Sequence, residues 1–498
     1  MALADKATID SGVPGAILME RAGRAVARAA IRVAGGRYGK RALVVCGKGN
    51  NGGDGFVAAR VLADEGMGVT CFLTFDRSEV SGDAKTHLTR MERAGISPRP
   101  FDADAFKDHD VYVDAIFGTG FSGEPRGVPA EAIAALASCR PIVAVDIPSG
   151  VDGSSGAVVG DAVDAEVTVA IAAEKVGTAL PPGSIHAGRI EVVDIGIDTE
   201  SRFTDGPRVE VAETEDVALI LGERGPETHK RSAGSVAILA GSDEIRGAPL
   251  LSARGAVRMG AGYVTLGSTA AVKEAASVFP ELLVRSVTDD GVLGPGCLDS
   301  FSDVIDRADA LAAGPGIGTG RAQRALVERI LSEVDIPVVL DADALNVLSS
   351  DTTPLEKREA PLVITPHPGE LARLLGRPTS DIVADRLGAA IEASRRWPSA
   401  VVLAKGQRTV IASQGGTEVV VVPTGGPELA TAGTGDVLTG ALAACLARSV
   451  SPAAAAMAAA YVHGMAGTIA GERIGSGGVA AGDVAEALPA AVEAVRRR

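Results

Sequence analysis

The run Asn50-Asn51-Gly52-Gly53-Asp54-Gly55 has the residue types of a binding site for an anionic ligand. It follows the apolar segment 42–46, which predicts a buried strand, and precedes the apolar segment 56–62, which predicts a helix. A helix N-terminus offers unpaired backbone N–H groups to a phosphate, and glycines let the backbone approach it closely. The amides and the Asp54 carboxylate add side-chain recognition. Such a run can also be only a tight turn, but its density and position favour a ligand site.

A second run, Thr431-Ala432-Gly433-Thr434-Gly435-Asp436, precedes another helical segment and has the composition of a phosphoryl-transfer site. Its glycine amides could hold phosphate oxygens, and the helix dipole favours an anion there. Asp436 could accept the proton of a hydroxyl group that attacks phosphorus. The same residue could instead only cap its helix. Lys405 and Arg408 follow the apolar segment 400–404 and could supply cations for a nucleotide, or lie in a solvated hairpin turn.

Other candidate ligand segments also follow predicted strands. Gly118-Thr119-Gly120 follows the segment 111–117, and a polar run, 146–150, follows another apolar segment. His367 lies between two prolines, which restrict the backbone and present the imidazole rigidly. A lone histidine is more often structural, so both interpretations stay open. The glycine-rich loop 313–320 adds a further flexible strand end.

The composition limits the possible functions. The chain has 498 residues, which suggests more than one domain, and 46% of them are hydrophobic, although only 3% are aromatic. A net charge of −15 and a pI near 5.0 argue against a general nucleic-acid binder, which needs cations to neutralise phosphates. The five cysteines have neither metal-site spacing nor a disulfide pattern, which fits a reducing cytosol.

No membrane anchor is expected. The first eleven residues are charged and lack the apolar core of a signal peptide. The segment 453–471 has no Asp, Glu, Lys or Arg but consists mainly of alanine and glycine, and alanine gains little from lipid. A buried helix of a soluble, cytoplasmic protein is therefore predicted there.

The chain divides into two α/β halves, and the expected domains are residues 1–210 and 211–498. Strands alternating with helices predict parallel sheets covered by helices on both faces, so that each domain has three αβα layers. Ligands of such sheets bind beyond the carboxyl ends of the strands. The predicted strands of the first half are 42–47, 69–75, 111–117, 141–146, 165–171 and 189–195. Those of the second half include 235–241, 309–313, 337–341, 362–365 and 400–404.

The ordered motifs resemble two known families. The first half is similar to the NAD(P)HX epimerases through 18–23, 50–55, 113–120 and 146–150. The second half is similar to the NAD(P)HX dehydratases of the ribokinase-like superfamily. Its matching segments are 247–250 with 260–262, 314–318, 365–370, 405–409 and 433–436. Each motif alone is weak, but the ordered set spans nearly the whole chain.

This resemblance implies a Rossmann-like domain followed by a ribokinase-like domain, and a metabolite-repair function. NADH and NADPH are hydrated at the nicotinamide ring to R and S epimers. The epimerase domain interconverts the epimers, and the dehydratase domain restores NAD(P)H from the S epimer with ADP. The implied cofactors are potassium and ADP with magnesium. The implied partners are NAD(P)HX and ADP, without nucleic acid or membrane, and a homo-oligomer is expected.

The resemblance also implies site residues. In the first half, Asp146 is a catalytic residue that binds the hydrate, and Asn51, Asp114 and Ser149 bind potassium. The other hydrate contacts there are Asn50, Asn51, Gly52, Gly53, Asp54, Gly118, Thr119, Gly120, Phe121, Ser122, Gly123 and Glu124. In the second half, Asp436 is the catalytic base. The hydrate contacts are Ala248, Gly316, Gly318, His367 and Asp436, and the nucleotide contacts are Lys405, Gly406, Gln407, Arg408, Thr409 and Gly435.

Two alternatives remain. The second half could be a small-molecule kinase that uses Gly435 and Asp436, fused to a nucleotide-binding module. The first half could bind nucleotides for sensing or scaffolding without catalysis, although Asp114, Asp146 and Ser149 at neighbouring strand ends argue against pure binding. In addition, Gln407 and Arg408 stand where relatives often have smaller residues, so Arg408 either contacts a phosphate or points to solvent.

Overall fold

The computed structural model describes residues 2–106, 108–199, 206–223, 225, 227, 230–231 and 233–497. The chain divides into two compact units, Met1–Asp205 and Gly206–Arg498. Each unit has its own sheet, as the two series of alternating strands and helices predict.

The first unit contains a seven-stranded sheet. Its strands are β1 (Arg41–Cys46), β2 (Gly68–Leu73), β3 (Arg99–Pro100), β4 (Val111–Ala115), β5 (Ile142–Val145), β6 (Val167–Ile171) and β7 (Arg189–Val193). Their spatial order is β3-β2-β1-β4-β5-β6-β7, and all pairings are parallel. The predicted parallel sheet is therefore confirmed. The order reverses between β1 and β4, which is where ligands bind in Rossmann-like sheets.

Helices cover both faces of this sheet. They are α1 (Ala2–Asp10), α2 (Gly15–Val33), α3 (Asn50–Asp64), α4 (Gly82–Arg93), α5 (Val128–Leu136), α6 (Val176–Ala179) and α7 (Gly183–His186). Successive side chains of a strand point to opposite faces. Accordingly, Val44 packs in a core with Phe56 of α3, whereas Val45 packs in a second core with Ile133 of α5. The two cores give the predicted three layers.

The glycine-rich run after β1 is helical rather than a turn. Helix α3 begins at Asn50, directly after its N-cap residue Gly49, and not near Phe56 as the apolar pattern predicts. The reason is close packing. A Cβ atom on Gly52 would lie 1.7 Å from the Gly47 carbonyl oxygen, and one on Gly55 would lie 2.6 Å from the Ala115 Cβ atom. These glycines bring the first turns of α3 directly against the sheet.

The second unit contains a ten-stranded mixed sheet. Its strands are β8 (Arg208–Val211), β9 (Ser235–Leu239), β10 (Tyr263–Thr269), β11 (Leu283–Thr288), β12 (Ala310–Ala313), β13 (Val338–Leu340), β14 (Leu362–Ile364), β15 (Ala400–Ala404), β16 (Thr409–Ser413) and β17 (Glu418–Val422). The order is β11-β10-β9-β12-β13-β14-β15-β16-β17-β8. Only β16 runs antiparallel to its neighbours, so 405–408 is a hairpin turn between β15 and β16.

Helices again cover both faces. They are α8 (Thr214–Leu221), α9 (Gly247–Met259), α10 (Ala270–Ala275), α11 (Gly296–Ile305), α12 (Arg321–Glu333), α13 (Asp343–Asn346), α14 (Thr353–Lys357), α15 (Pro368–Leu375), α16 (Thr379–Ala384), α17 (Arg386–Arg396), α18 (Thr434–Leu446), α19 (Pro452–Ile474) and α20 (Ala481–Arg496). Ile238 of β9 packs in a core with Val437 of α18 and Val484 of α20. On the opposite face, Leu239 and Phe301 of α11 both lie against Gly267.

The boundary between the units lies before β8. This strand pairs in parallel with β17, with Val209 opposite Val419, and therefore belongs to the second sheet. The predicted boundary at 210/211 lies inside β8. It needs correction to 205/206, because β8 is separated in sequence from the rest of its sheet and the local pattern does not reveal its partner.

Helix α19 is the one described helix that is long and apolar enough to cross a membrane. Within the structure, 67% of its most apolar window is buried. Its alanines pack in the same core as α18 and α20. This packing is that of a core helix, as the sequence predicts for 453–471.

We predict that a fragment of residues 1–205 folds alone. Its sheet has all its strands, and both of its cores consist of residues of the same unit. Circular dichroism should give α/β structure with one cooperative thermal transition. The fragment 206–498, which keeps β8, should also unfold cooperatively, and a fragment 212–498 without β8 should melt at a lower temperature. An aggregated or non-cooperative 1–205 fragment would contradict the independence of the first unit.

Candidate functional sites

The first unit has a cavity of about 700 Å³ at the carboxyl ends of its strands. Residues after β1 and β4 line it, at the reversal of the strand order. Nine of the predicted hydrate contacts are among its lining residues, namely Asn50, Asn51, Asp54, Gly118, Thr119, Gly120, Phe121, Ser122 and Asp146. The structure therefore brings together side chains that are almost 100 residues apart in sequence.

Four predicted contacts do not line this cavity. Gly52 packs against Gly47, and a Cβ atom on Gly53 would lie 2.5 Å from the Met19 sulfur. These two glycines seat helix α3 on its neighbours. Gly123 and Glu124 follow the lining loop, and the Glu124 side chain is 55% exposed. The sequence pattern includes them because they are contiguous with residues that do line the cavity.

The three predicted potassium ligands form one network around the backbone of Phe117. The Asn51 side-chain amide donates to the Phe117 carbonyl oxygen at 2.7 Å. The Phe117 N–H donates to Ser149 Oγ at 2.9 Å, and this hydroxyl donates to Asp114 Oδ1 at 2.6 Å. The Asp114 carboxylate also accepts the backbone N–H groups of Ser149 and Ile116. The structure thus places three oxygen-bearing side chains from α3, β4 and the loop after β5 close together.

Asp114 is completely buried. Burial raises its pKa to about 6, against the hydrogen bonds from Ser149 and Ile116, which lower it. In the described part of the chain, no cationic side chain pairs with this carboxylate. Asp114 does not line the cavity, so it lies behind the site rather than in it.

Asp146 is paired with a lysine that the sequence interpretation missed. Lys175 Nζ donates to Asp146 Oδ1 and, at 2.7 Å, to the carbonyl oxygen of Ile171. Both side chains are buried, and both line the cavity. Lys175 lies in the loop after β6, whose strand was predicted as 165–171. The rule that ligands bind beyond strand ends, applied to this strand as well, would have found it.

Asp54 faces the same cavity from helix α3. Burial raises its pKa well above the ordinary carboxyl value, and the negative charge of Asp146 raises it further. The positive charge of Lys175 opposes this shift only in part. The cavity therefore holds one carboxyl group that is paired with a cation and one that retains its proton more strongly.

The second unit has a charged site at the ends of β13, β14 and β15. Lys405 Nζ lies 2.7 Å from Asp341 Oδ1 and 3.9 Å from Glu370 Oε2. Thr439 of α18 donates to Asp341 Oδ2 at 2.6 Å. Burial alone would raise the pKa of Asp341, but the Lys405 charge and these hydrogen bonds hold it below its usual value. The Lys405 side chain is only 20% exposed, so this part of the hairpin is not solvated.

Asp436 lies in the first turn of α18 beside this ion pair. Its pKa is raised to about 7 by burial and by the negative charge of Asp341, despite the opposing charge of Lys405. The N-cap residue of the helix is Gly433, and no described side chain caps the helix. The interpretation of Asp436 as a capping residue therefore finds no support. A Cβ atom on Gly435 would lie 3.4 Å from Lys405 Nζ, so the helix N-terminus and the lysine face one place.

His367 has the structural role that the sequence left open. It is the N-cap residue of α15, and its Nδ1 atom accepts the backbone N–H groups of Gly369 at 3.0 Å and Glu370 at 3.4 Å. Half of the side chain remains exposed. Burial lowers its pKa, as do the charges of Lys405 and Arg373, so the imidazole is neutral at pH 7. The cap fixes the ring, and its Nε2 atom lies 3.4 Å from Glu370 Oε1.

The other predicted contacts frame this site. Gly316 and Gly318 have positive φ angles, and the Gly318 N–H donates to Asp343 Oδ2 at 2.9 Å. Ala248 lies in the first turn of α9, and a Cβ atom on Gly316 would lie 2.6 Å from Ile245 just before that helix. Strand-end loops from β12 and β13 and the start of α9 thus meet.

Another residue that the sequence interpretation missed holds the backbone of the hairpin 405–409. Arg386 of α17 donates to the carbonyl oxygens of Gln407 and, at 2.8 Å, Arg408. Thr409 Oγ1 donates to the Gly406 carbonyl oxygen at 3.3 Å. The segment is a hairpin turn formed by Gln407 and Arg408, but it is not fully solvated, because the Lys405 side chain is only 20% exposed and pairs with Asp341.

Comparisons with known proteins agree with this arrangement. The family model for NAD(P)H-hydrate dehydratase matches residues 236–490, and that for the YjeF-related protein N-terminus matches residues 15–177. The bifunctional NAD(P)H-hydrate repair enzyme Nnr of Moorella thermoacetica is 39% identical over 490 residues, which cover 96% of this chain and 92% of the relative. The chain belongs to the family of bifunctional NAD(P)H-hydrate repair enzymes. Each matched region lies within one structural unit.

Solved structures resemble the second unit. The ADP/ATP-dependent NAD(P)H-hydrate dehydratase of Bacillus subtilis, co-crystallised with ATP and Mg²⁺, is 30% identical. It covers 58% of this chain and 99% of its own, with a TM-score of 0.49. A ribokinase-like superfamily protein of Enterococcus faecalis is 22% identical and covers 60% of this chain and 99% of its own, with a TM-score of 0.50. The predicted ribokinase-like fold of this repair enzyme is thus confirmed.

Asp341 is the main residue of the second site that the sequence interpretation of this family member missed. It directly follows Leu340, at the end of a predicted strand. Asp343 lies two residues further, and Thr439 lies one turn into α18. Asp341 could have been found from its position, because acidic residues at strand ends were noted elsewhere. Thr439 carries no local signal, since its partner is 98 residues away.

We predict that Lys405→Met destabilises the second unit by about 3–5 kcal/mol, because it leaves Asp341 buried without its cation. The double variant Lys405→Met/Asp341→Asn should lose less than the sum of the two single variants. Urea unfolding monitored by circular dichroism would measure this. Lys357→Met, at an exposed position of α14, is the matched control and should unfold like the wild type. Additive effects of the two substitutions would mean that the pair is not coupled.

Proposed function

We propose that the chain has both activities of its family in the two units described here. The first unit epimerises R- and S-NAD(P)HX, and the second dehydrates the S epimer to NAD(P)H with ADP. The observation that carries this proposal is the 39% identity over nearly the full length of both chains. The alternative, a small-molecule kinase fused to a binding module, is opposed by this relative, which is a bifunctional repair enzyme over nearly its full length.

The cavity of the first unit supports the epimerase function. Its volume of about 700 Å³ is in the usual range for sites that bind small organic ligands. The N-terminus of α3 offers backbone N–H groups to a substrate phosphate. Asp54 and Asp146 supply two carboxyl groups to the ring end of the substrate. This combination suits a nicotinamide nucleotide whose ring must exchange a hydroxyl group.

The site of the second unit supports transfer of a phosphoryl group to the hydrate. The N-terminus of α18 can hold phosphate oxygens, and Lys405 adds a positive charge beside it. Asp436 takes the proton of the ring hydroxyl as that oxygen attacks the β-phosphorus of ADP, and AMP leaves. Phosphate is then a good leaving group. Its departure, with loss of a proton from the neighbouring ring carbon, restores the double bond of NAD(P)H.

We also propose that magnesium accompanies ADP. Asp341, Glu370 and Asp436 are carboxyl groups near the position of the phosphates, and carboxylates are the ligands that magnesium prefers. When bound, magnesium would neutralise phosphate charge. Asp341 is already paired with Lys405, which leaves the other two as the available groups.

The function is tested by recovery of reduced-nicotinamide absorbance from a mixture of both hydrate epimers. With ADP the whole mixture should be restored, and one phosphate should be released for each NAD(P)H formed. Without ADP no recovery is expected. A stable phosphorylated product from ATP and a simple alcohol would favour the kinase alternative.

We predict that Asp436→Asn lowers the rate of dehydration by about 10²–10⁴, the usual loss for a positioned base. In the wild type the rate should rise with pH through about 7, because the base must be ionised and the pKa of Asp436 is raised to about 7. The residual dehydration rate of the variant should not show this rise with pH. Asp306→Asn, at an exposed position of the same unit, is the control. Unchanged dehydration by the Asp436 variant would exclude this residue as the base.

We further propose a potassium ion at Asn51, Asp114 and Ser149. Its support is that Asp114 is a fully buried carboxylate with hydrogen-bond donors but no cationic partner among the described side chains. A carboxylate, a hydroxyl and an amide are oxygen donors that suit a hard cation. A bound cation would compensate the cost of the buried charge. Potassium there would also brace the loops after β1, β4 and β5 beside the cavity.

We predict that potassium, titrated against sodium at constant ionic strength, stimulates epimerisation by the wild type. Asp114→Ala should lower epimerisation and remove this response. Ser149→Ala, which keeps the carboxylate, should raise the potassium concentration for half-maximal activity. Dehydration of pure S epimer should be unchanged in both variants, because that site lies in the other unit. Variants with the potassium response of the wild type would refute the ligand assignment.

We also propose that the enzyme works as a homo-oligomer in the cytoplasm, without binding membranes or nucleic acid. The support for the cytoplasm is that all five cysteines are buried and free, as expected in a reducing compartment. The net charge of −15 opposes binding to nucleic acid.

A further inference from the structure

One N–H donor of the Lys175 ammonium group has no partner among the described residues, and Lys175 lines the cavity of the first unit. The side chain is 6% exposed, and its ammonium group donates to Asp146 Oδ1 and to the Ile171 carbonyl oxygen. An ammonium group has three N–H donors. The third has no partner among the described residues, and Lys175 is one of the residues that line the cavity. Its third N–H is therefore available to a ligand.

Asp54 is the complementary group. It is 6% exposed, lines the same cavity, and accepts no hydrogen bond from a described residue. Asp146, by contrast, accepts the Lys175 ammonium group and the Ile171 N–H at 3.2 Å. Burial and the charge of Asp146 raise the pKa of Asp54. The two carboxyl groups therefore differ in what stabilises them, one as the anion and the other as the acid.

Epimerisation requires two proton transfers. Hydration of a dihydronicotinamide places the hydroxyl group on the carbon next to the ring nitrogen. This carbon is inverted when its C–O bond breaks and water returns from the other face. An acid must protonate the departing oxygen, and a base must take a proton from the returning water.

We propose that Asp54, Asp146 and Lys175 form the acid–base group of the epimerase site, a proposal that rests on the epimerase function above. Asp54 donates its proton to the departing hydroxyl group. Asp146, which is paired with Lys175, receives the proton of the returning water, and the third N–H of Lys175 contacts the hydrate. Lys175 is thereby a further catalytic residue of this reaction.

The bonds and charges balance in each step. The C–O electron pair leaves with the oxygen, which takes the Asp54 proton and becomes water. The ring nitrogen donates its lone pair and forms a C=N double bond, so the ring carries the positive charge. Water then attacks the opposite face, its proton goes to Asp146, and the C=N pair returns to nitrogen. Asp54 is now ionised and Asp146 protonated, which is the state needed for the reverse direction.

The structural alternative is that Lys175 only braces the chain. Asp146 has a φ angle of 68°, which is unfavourable for a residue with a side chain, and Lys175 ties it to the end of β6. A brace would affect folding and substrate affinity. A catalytic contact affects the maximal rate at saturating substrate. The kcat and KM of the variants therefore separate the two roles.

The test measures epimerisation of pure R epimer by full-length Lys175→Met and Asp54→Asn, after subtraction of the spontaneous rate. Each variant should lose about 10²–10³ in kcat with KM changed little. Lys175→Arg keeps the charge and a donor and should recover part of the loss. Lys85→Met, at an exposed position of α4, is the matched control and should match the wild type. Circular dichroism and the thermal transition of the fragment 1–205 with the same substitution check that the first unit is folded, and ADP-dependent dehydration of pure S epimer checks the second unit.

The outcomes distinguish this inference from the proposed function. If the wild type does not epimerise the R epimer, the epimerase function itself is wrong. If the wild type is active and Lys175→Met keeps its kcat, or loses only affinity, the lysine is a brace and the inference fails. Wild-type kcat in Asp54→Asn would likewise remove Asp54 as the acid. Loss of kcat in both variants, with the thermal transition of the first unit retained, supports the inference.

Discussion

The constraint on which both sites depend is the geometry of parallel strands. All carboxyl ends of such strands lie at one edge of the sheet, so the loops that follow them meet there. In the first unit, loops after β1, β4, β5 and β6 surround one cavity. In the second, residues after β13, β14 and β15 meet the N-terminus of α18. Helix N-termini lie at the same edge, so unpaired N–H groups for phosphates are available where the charged side chains gather.

The two sites share a charge arrangement although their sheets differ in strand order. Each has a buried lysine–aspartate pair, Lys175 with Asp146 and Lys405 with Asp341. Beside each pair lies a second carboxyl group, Asp54 or Asp436, whose pKa is raised by burial and by the charge of the paired aspartate. In each site the lysine contacts the paired aspartate, and the negative charge of that aspartate raises the pKa of the second carboxyl group. Each site thereby contains two carboxyl groups in different electrostatic surroundings.

Sequence patterns predict the features that are local. The alternation of strands and helices predicts both sheets, and strand-end positions lead to Asn51, Asp146, His367 and Lys405. Pairings across long sequence distances are not predictable in this way. Thr439 and Asp341 meet because α18 lies against the sheet, and β8 joins β17 although it precedes the other strands of its unit. Lys175 could have been found from its position after β6, but its pairing with Asp146, 29 residues earlier, could not.

The run 50–55 illustrates how a helix changes the interpretation of a motif. As a turn, its glycines would provide flexibility. In the first turns of α3, they allow the helix to pack closely, because Gly52 lies against the backbone of Gly47 and Gly55 against the side chain of Ala115. Residues three and four apart share one face of a helix. Gly52 and Gly55, three residues apart, therefore pack together, while Asn51 and Asp54, also three apart, both line the cavity. A larger residue at Gly52 or Gly55 would move the helix off the sheet, and with it Asn50, Asn51 and Asp54.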